Sequence, residues 1–164
     1  MLASMDRAIE VTIISASHLK KIKTLGHQRS YVVAYIYENH KVSSKVDSDG
    51  GLNPNWNFRL TLDCDESLFV HHGTYLNFEI YNQGYFSEVL SDTLIGSVAV
   101  PLRDLEKDVR CHVEAARMSF QVRRPSGKEK GVLNVAIKLG DRRDRKDEGH
   151  LPFHAPQYEY RRIE

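Results

Sequence analysis

The chain has 164 residues, 41% of them hydrophobic and 27% charged, with a formal net charge of +1. That length suits one globular domain with a modest tail, and the near-neutral balance excludes a nucleic-acid binder that works by bulk charge. No apolar run approaches the roughly 20 residues of a membrane span, and Met1-Leu2-Ala3-Ser4-Met5-Asp6 lacks the apolar core of a signal peptide, so a cytoplasmic location is expected. Cys64 and Cys111 have no metal-ligand spacing and read as reduced thiols.

In chain order, Ala8-Ile9-Glu10-Val11-Thr12-Ile13-Ile14 is rich in β-branched residues and predicts a first strand. A loop over residues 15–30 follows, carrying Lys20, Lys21, Lys23, His27 and Arg29 around the anchors Leu19, Ile22 and Leu25. Two further strands, Tyr31 to Tyr37 and Lys41 to Val46, join through the short polar link Glu38-Asn39-His40. Next comes Asp47-Ser48-Asp49-Gly50-Gly51-Leu52-Asn53-Pro54. Glycines that permit unusual backbone angles and an asparagine pushed out of the helical region by Pro54 predict a tight turn.

Trp56, the only tryptophan, opens the alternating run Phe58, Leu60, Leu62 of a fourth strand. After a short apolar segment and His71-His72-Gly73, the run Thr74 to Tyr81 alternates as a half-buried fifth strand. A long loop over residues 82–92 leads to a sixth strand, Thr93 to Val100, which Pro101 ends. Residues 102–116 read as the one helical insert. Met118 to Arg123 is a seventh strand, Pro125-Ser126-Gly127 a turn, and Val132 to Leu139 an eighth strand. Eight short strands separated by turn signals predict an all-β, eight-stranded antiparallel β-sandwich, built as two packed four-stranded sheets over residues 1–140. Trp56, Leu60, Leu76, Phe78, Ile80, Ile95, Val98 and Val135 are the expected core. Residues 141–164, of mixed charge and without periodicity, read as a mobile tail with Pro and Tyr near its end.

Several of these stretches together resemble the C2 domain in order and spacing: Leu19, Gly26, Ser30-Tyr31-Val32, Asn53-Pro54-Asn55-Trp56-Asn57, Phe78-Glu79-Ile80-Tyr81, and Leu94-Ile95-Gly96 with Val98 and Pro101-Leu102. The likeness covers about residues 7 to 140. It is similar in particular to the small plant C2-domain proteins associated with cold, defence and cell-death responses. Gly131-Val132-Leu133-Asn134-Val135-Ala136-Ile137 comes last in the chain, so the resemblance implies the permuted, type II strand order.

In an up-and-down order the first, third and fifth connections emerge at one end. Calcium-binding C2 domains place five aspartates there, as befits an ion that takes roughly six to eight oxygens. Carried over residue by residue, the resemblance puts those positions on Lys23, Arg29, Asn82, Gly84 and Thr93, with Asp92 one residue away. No calcium is expected at the usual place, and no other cofactor. Instead Lys20, Lys21, Lys23, His27 and Arg29 would supply permanent positive charge, and Phe86 aligns with the apolar tip that such domains insert into lipid.

The reading is a non-enzymatic, calcium-independent adaptor of anionic phospholipid, peripheral at the plasma membrane, that recruits a signalling protein partner. One alternative is a calcium-dependent phospholipid binder using Asp47, Asp49, Glu88 and Asp92, the same carboxylates that could otherwise pair internally with Lys23 and Arg29. Another is a protein-interaction module without lipid contact, and a third is a targeting domain of a larger enzyme. The adjacent His71 and His72 would face opposite ways in a strand and read as a solvated turn. No nucleophile elbow, phosphate loop or metalloprotease helix is present.

Overall fold

The computed structural model describes residues 5–22, 26–84, 92–109 and 114–144. Lys23, Phe86, Glu88 and Cys111 lie outside them, as do residues 145–164. Among the described residues there are eight strands: β1 Met5–Ser17, β2 Ser30–Tyr35, β3 Val42–Ser43, β4 Asn55–Asp65, β5 Tyr75–Asn82, β6 Thr93–Pro101, β7 Ala116–Arg123 and β8 Glu129–Asp144. A 3-10 turn over Glu66–Phe69 follows β4, and the helix α1, Leu102–Val109, follows β6.

The strands run in the order β3-β2-β5-β6-β7-β8-β1-β4, all paired antiparallel. The expected two four-stranded sheets are joined into one nearly closed sheet by a single residue pair, Ser97 with Arg123. Gly96 makes that junction possible. A Cβ there would stand 2.5 Å from Val122 Cγ1 and 2.9 Å from the Arg123 carbonyl, so any larger residue would force the two halves apart.

Alternation along each strand sends one row of side chains into the space between the halves. Ile9, Val11 and Ile13 of β1, Leu76, Phe78 and Ile80 of β5, and Leu133, Val135 and Ile137 of β8 are all buried. Leu102, Leu105 and Val109 close one end of this core; their i, i+3, i+7 spacing puts them on one face of α1. β2 is buried along its whole length. Its inward Val32 and Ala34 join the main core, while Tyr31, Val33 and Tyr35 form a second cluster with Val46 and Tyr81. Tyr31 and Tyr81 stack there with ring centroids 5.7 Å apart.

Four expectations need correction. Trp56 is only partly buried, although it packs against the core. Ile13 pairs with Phe58 and Ser15 with Asn55, so the single residue Ile14 faces both Trp56 and Asn57, and Asn57 adopts φ 44°. This β-bulge lies at the start of β4, where Trp56 and Phe58 stay on the inward row but are only half-covered. The helix is described over Leu102–Val109, and Ala116, expected in it, belongs to β7. The third strand shortens to two residues: the Ser44 N–H still donates to the Val32 carbonyl at 2.8 Å, but the Val32 N–H goes to the Ser44 hydroxyl at 2.9 Å rather than to a backbone carbonyl. Finally, β8 continues to Asp144, past the expected tail boundary, because Arg142, Arg143 and Asp144 pair with Arg7, Asp6 and Met5. Arg142 also forms an ion pair with Glu66, which in turn faces Arg7.

Candidate functional site

β1 and β3 run towards the end of the sandwich that β2 and β4 leave, and the connections over residues 18–29 and 47–54 meet there through three hydrogen bonds. The Ala16 N–H donates to the Pro54 carbonyl, Leu19 N–H to the Leu52 carbonyl, and His18 N–H to Asn53 Oδ1, each at 3.0 Å. The connection after β5 joins them. Arg29 N–H donates to Asn82 Oδ1 at 2.9 Å, and Gln83 N–H returns to the Arg29 carbonyl at 2.8 Å. The turn at Gly50 needs glycine because a Cβ there would fall 2.4 Å from Asp47 Oδ2 and 2.5 Å from Pro54 Cα.

Two carboxylates at this end, Asp47 and Asp92, are engaged by the protein's own donors. Asp47 Oδ1 accepts the N–H groups of Asp49 and Gly50 at 2.9 and 3.1 Å, and Oδ2 accepts that of Asn55 at 2.7 Å. Burial alone would raise the Asp47 pKa, but these three backbone donors outweigh it and hold the carboxyl below its ordinary value. Asp92 Oδ1 accepts the Gly84 N–H at 2.9 Å, and Oδ2 accepts the Tyr31 hydroxyl. Asp49 is exposed, and Asn82 is buried with its amide oxygen turned to Arg29. Among the described residues no group of three or more His, Cys, Asp or Glu could hold a metal ion.

The cations are placed differently. Gln28, buried, clamps the base of the first loop: its Oε1 accepts the Ile22 N–H at 2.8 Å and its Nε2 donates to the Lys20 carbonyl at 3.2 Å. Lys20 and Lys21 are thereby held on a fixed stretch, Lys21 exposed and Lys20 half-buried. Among the described residues neither has a carboxylate within ion-pair distance. His27 is exposed, whereas Arg29 is half-buried with its Nε shut off from solvent.

Four basic residues escaped the sequence reading. The β7–β8 hairpin turns at this same end, and Ser17 pairs with Val132, which brings Arg123, Arg124, Lys128 and Lys130 to the loop end, Arg123 facing Glu129 in an ion pair. Arg124 N–H donates to the Lys128 carbonyl at 2.8 Å and so closes the turn. The signal was present in Arg123-Arg124-Pro125-Ser126-Gly127-Lys128-Glu129-Lys130, but only the type II strand order brings that hairpin to the loop end.

The C2 domain family model matches residues 7–115. The protein SRC2 homolog of Arabidopsis thaliana is 33% identical over 138 residues, which cover 83% of this chain and 41% of the relative. Protein SRC2 of Glycine max is 30% identical over 139 residues, 82% of this chain and 47% of the relative. The chain thus spans less than half the length of these curated relatives.

Among solved structures, a C2 domain of plant Extended Synaptotagmin 1 superposes with a TM-score of 0.63 at 18% identity, covering 81% of this chain and 93% of that one. The calcium-bound tandem C2 domains of Extended-Synaptotagmin 2 give 0.64 at 20% identity, covering 84% and 47%. A C2 domain-containing protein from a putative elicitor-responsive gene gives 0.58 at 20% identity, covering 84% and 92%. At such identities these likenesses establish the fold. With the family model matched over most of the domain, this chain belongs to the C2 domain family.

Proposed function

We propose that the domain is a non-enzymatic, peripheral binder of anionic phospholipid that attaches through its loop end without calcium. The observation that carries this reading is the pairing state of the two signs of charge at that end. Asp47 and Asp92 already accept protein donors on both oxygens, while Lys20 and Lys21 stand beside the basic β7–β8 hairpin with no carboxylate partner among the described residues. The described residues do not fit a calcium ion. A buried amide, a glycine, a threonine and a half-buried arginine stand where the family places ligands, and a hard divalent ion needs roughly six to eight oxygens.

Each cation near an anionic leaflet contributes roughly 1 kcal/mol, so a few of them give weak, reversible attachment that salt screens. No described helix is long and apolar enough to cross a membrane. Attachment at the cytoplasmic face of the plasma membrane and recruitment of a signalling partner complete the proposal. The calcium-bound state of the Extended-Synaptotagmin 2 domains makes the chelator arm the decisive control.

The test is co-sedimentation with vesicles containing phosphatidylserine, in calcium or in chelator, at low and high salt. Equal binding in calcium and chelator, reversed by salt, supports the proposal. Lys20→Glu with Lys21→Glu should weaken binding by roughly 4 kcal/mol at low ionic strength, two attractive charges becoming two repulsive ones. Calcium-dependent binding overturns the calcium-independent part. No binding under any of these conditions leaves a protein-interaction module.

A further inference from the structure

The opposite end of the sandwich carries a cavity that the loop end does not explain. Residues 71–74 turn the chain into β5, with Gly73 at φ 92°, and lie against the first turns of α1. A cavity of about 290 Å³ opens between them, lined by His71, His72 and Tyr75 from one side and Arg103, Asp104 and Lys107 from the other. Tyr75 and Asn82 mark the two ends of β5, seven residues apart, so this cavity lies roughly 24 Å from the loop end. That is about three Debye lengths at physiological salt, and the two ends are electrostatically independent.

We infer that this cavity is a binding site for a phosphoryl anion, gripped by Arg103 and Lys107 with the imidazoles of His71 and His72 as further donors. Arg103 and Lys107 are four residues apart on α1, one turn, and therefore share a face. Two carboxylates near this end are committed elsewhere: Glu66 faces Arg7 and Arg142, and Glu106 faces Arg7. Among the described residues no carboxylate, Asp104 included, lies within ion-pair distance of Arg103 or Lys107.

The contact that Arg103 does make is with another basic group. Its Nη1 lies 2.5 Å from His72 Nε2, and because a guanidinium can only donate, that nitrogen is the acceptor. A tetrahedral oxyanion is a better acceptor for the same donor, and charge-assisted bonds to phosphate exceed neutral ones in strength. The volume sits at the low end of the range of small-molecule pockets, which suits a single phosphoryl group or a phospholipid headgroup rather than a nucleotide. Val70, 67% exposed, and Tyr75, 42% exposed, are apolar surface at the same end and would accompany a headgroup.

The experiment is a two-dimensional NMR titration of the full chain with inorganic phosphate and then pyrophosphate, against chloride at constant ionic strength. Expected are saturable shifts of the amides of residues 71–75 and 103–107, unchanged in Lys20→Gln with Lys21→Gln. In Arg103→Gln with Lys107→Gln the affinity should fall at least about tenfold. Both side chains are exposed, so the double variant should melt like the parent; if it does not, Lys107→Gln alone is titrated.

A second arm uses phosphoinositide vesicles in the Lys20→Glu, Lys21→Glu background. Residual attachment that Arg103→Gln with Lys107→Gln abolishes identifies a lipid headgroup as the source. Soluble pyrophosphate binding without vesicle attachment identifies a free phosphate compound. Shifts that never saturate, or that are equal in the parent and the Arg103, Lys107 variant, overturn the inference. Because the loop-end lysines are absent from this readout, failure here leaves the loop-end proposal standing, and the reverse also holds.

Discussion

Trp56 Nε1 donates a hydrogen bond of 3.0 Å to the carbonyl of Ser30, tying the start of β4 to the start of β2 across the end of the sandwich. The same carbonyl accepts the Asp47 N–H at 2.8 Å, so a single oxygen fixes the indole and the second loop together. Trp56→Phe keeps most of the packing and loses only this bond, at a cost of about 1 kcal/mol. Trp56→Ala removes the partly buried ring as well. It should cost about 2 to 3 kcal/mol, below the ~3–5 kcal/mol of a fully buried aromatic. Urea unfolding of both variants checks the two values; equal losses would mean that the bond, and not the ring, carries the anchor.

Asn82, 2% exposed, is the residue through which the first and third loops meet, since its Oδ1 takes the Arg29 N–H. Asn82→Ala strands that donor and should cost about 1 to 3 kcal/mol. Hydrogen exchange gives the sharper readout: the Arg29 and Gln83 amides should lose protection first, while the β1 and β8 amides keep theirs. Uniform loss across the sheet would show that the bond is not a local lock.

Asp47 makes the second loop sensitive to acid. Its folded pKa lies below the ordinary carboxyl value, so its carboxylate contributes stability that is fully present above the ordinary carboxylate range. That contribution is lost as pH falls through the lower, folded value. Asp47→Asn should lower the melting temperature at pH 7 and flatten the fall of stability below about pH 4. Thermal melts from pH 7 to pH 2 decide it; parallel curves for parent and variant would remove Asp47 from the acid response.

Cys64 is buried on β4, and its thiol is pushed up to about 12, first by burial and then by the charges of Asp63, Asp6 and Asp65. A thiol so far from its thiolate is inert while the fold is intact. In a Cys111→Ser background, labelling by an aromatic disulfide reagent at pH 8 should proceed only at the rate of unfolding and become immediate in denaturant. Rapid labelling of the native protein would place Cys64 in a segment that opens on its own.

Much of the architecture was legible from local pattern. Period-two runs such as Leu76, Phe78, Ile80 and the β-branched segments Ile9 to Ile13 and Val132 to Ile137 declare strands, because burying one face of a pleat requires that alternation. Gly50-Gly51 and Asn53-Pro54 declared their turn for equally local reasons, backbone sterics that need no partner. The meeting of the first, third and fifth connections also followed from strand count and direction alone. Other features depend on what lies opposite in space. The bulge beside Trp56 arises from the register between β1 and β4, which neither strand encodes by itself. Gln28 looks like any loop glutamine until its amide is seen bridging Lys20 and Ile22. The availability of a charge is the most non-local property of all. Asp47 and Asp92 are acids in the sequence, and only the fold fills their oxygens with N–H and O–H donors; Arg103 and Lys107 are ordinary helix cations, and only the fold sets them at a cavity without an ion-pair partner among the described residues. Sequence determines which groups can ionise, but Coulomb energy and hydrogen bonding act over a few ångströms of space, and so tertiary structure alone decided which of those charges remain available to a ligand.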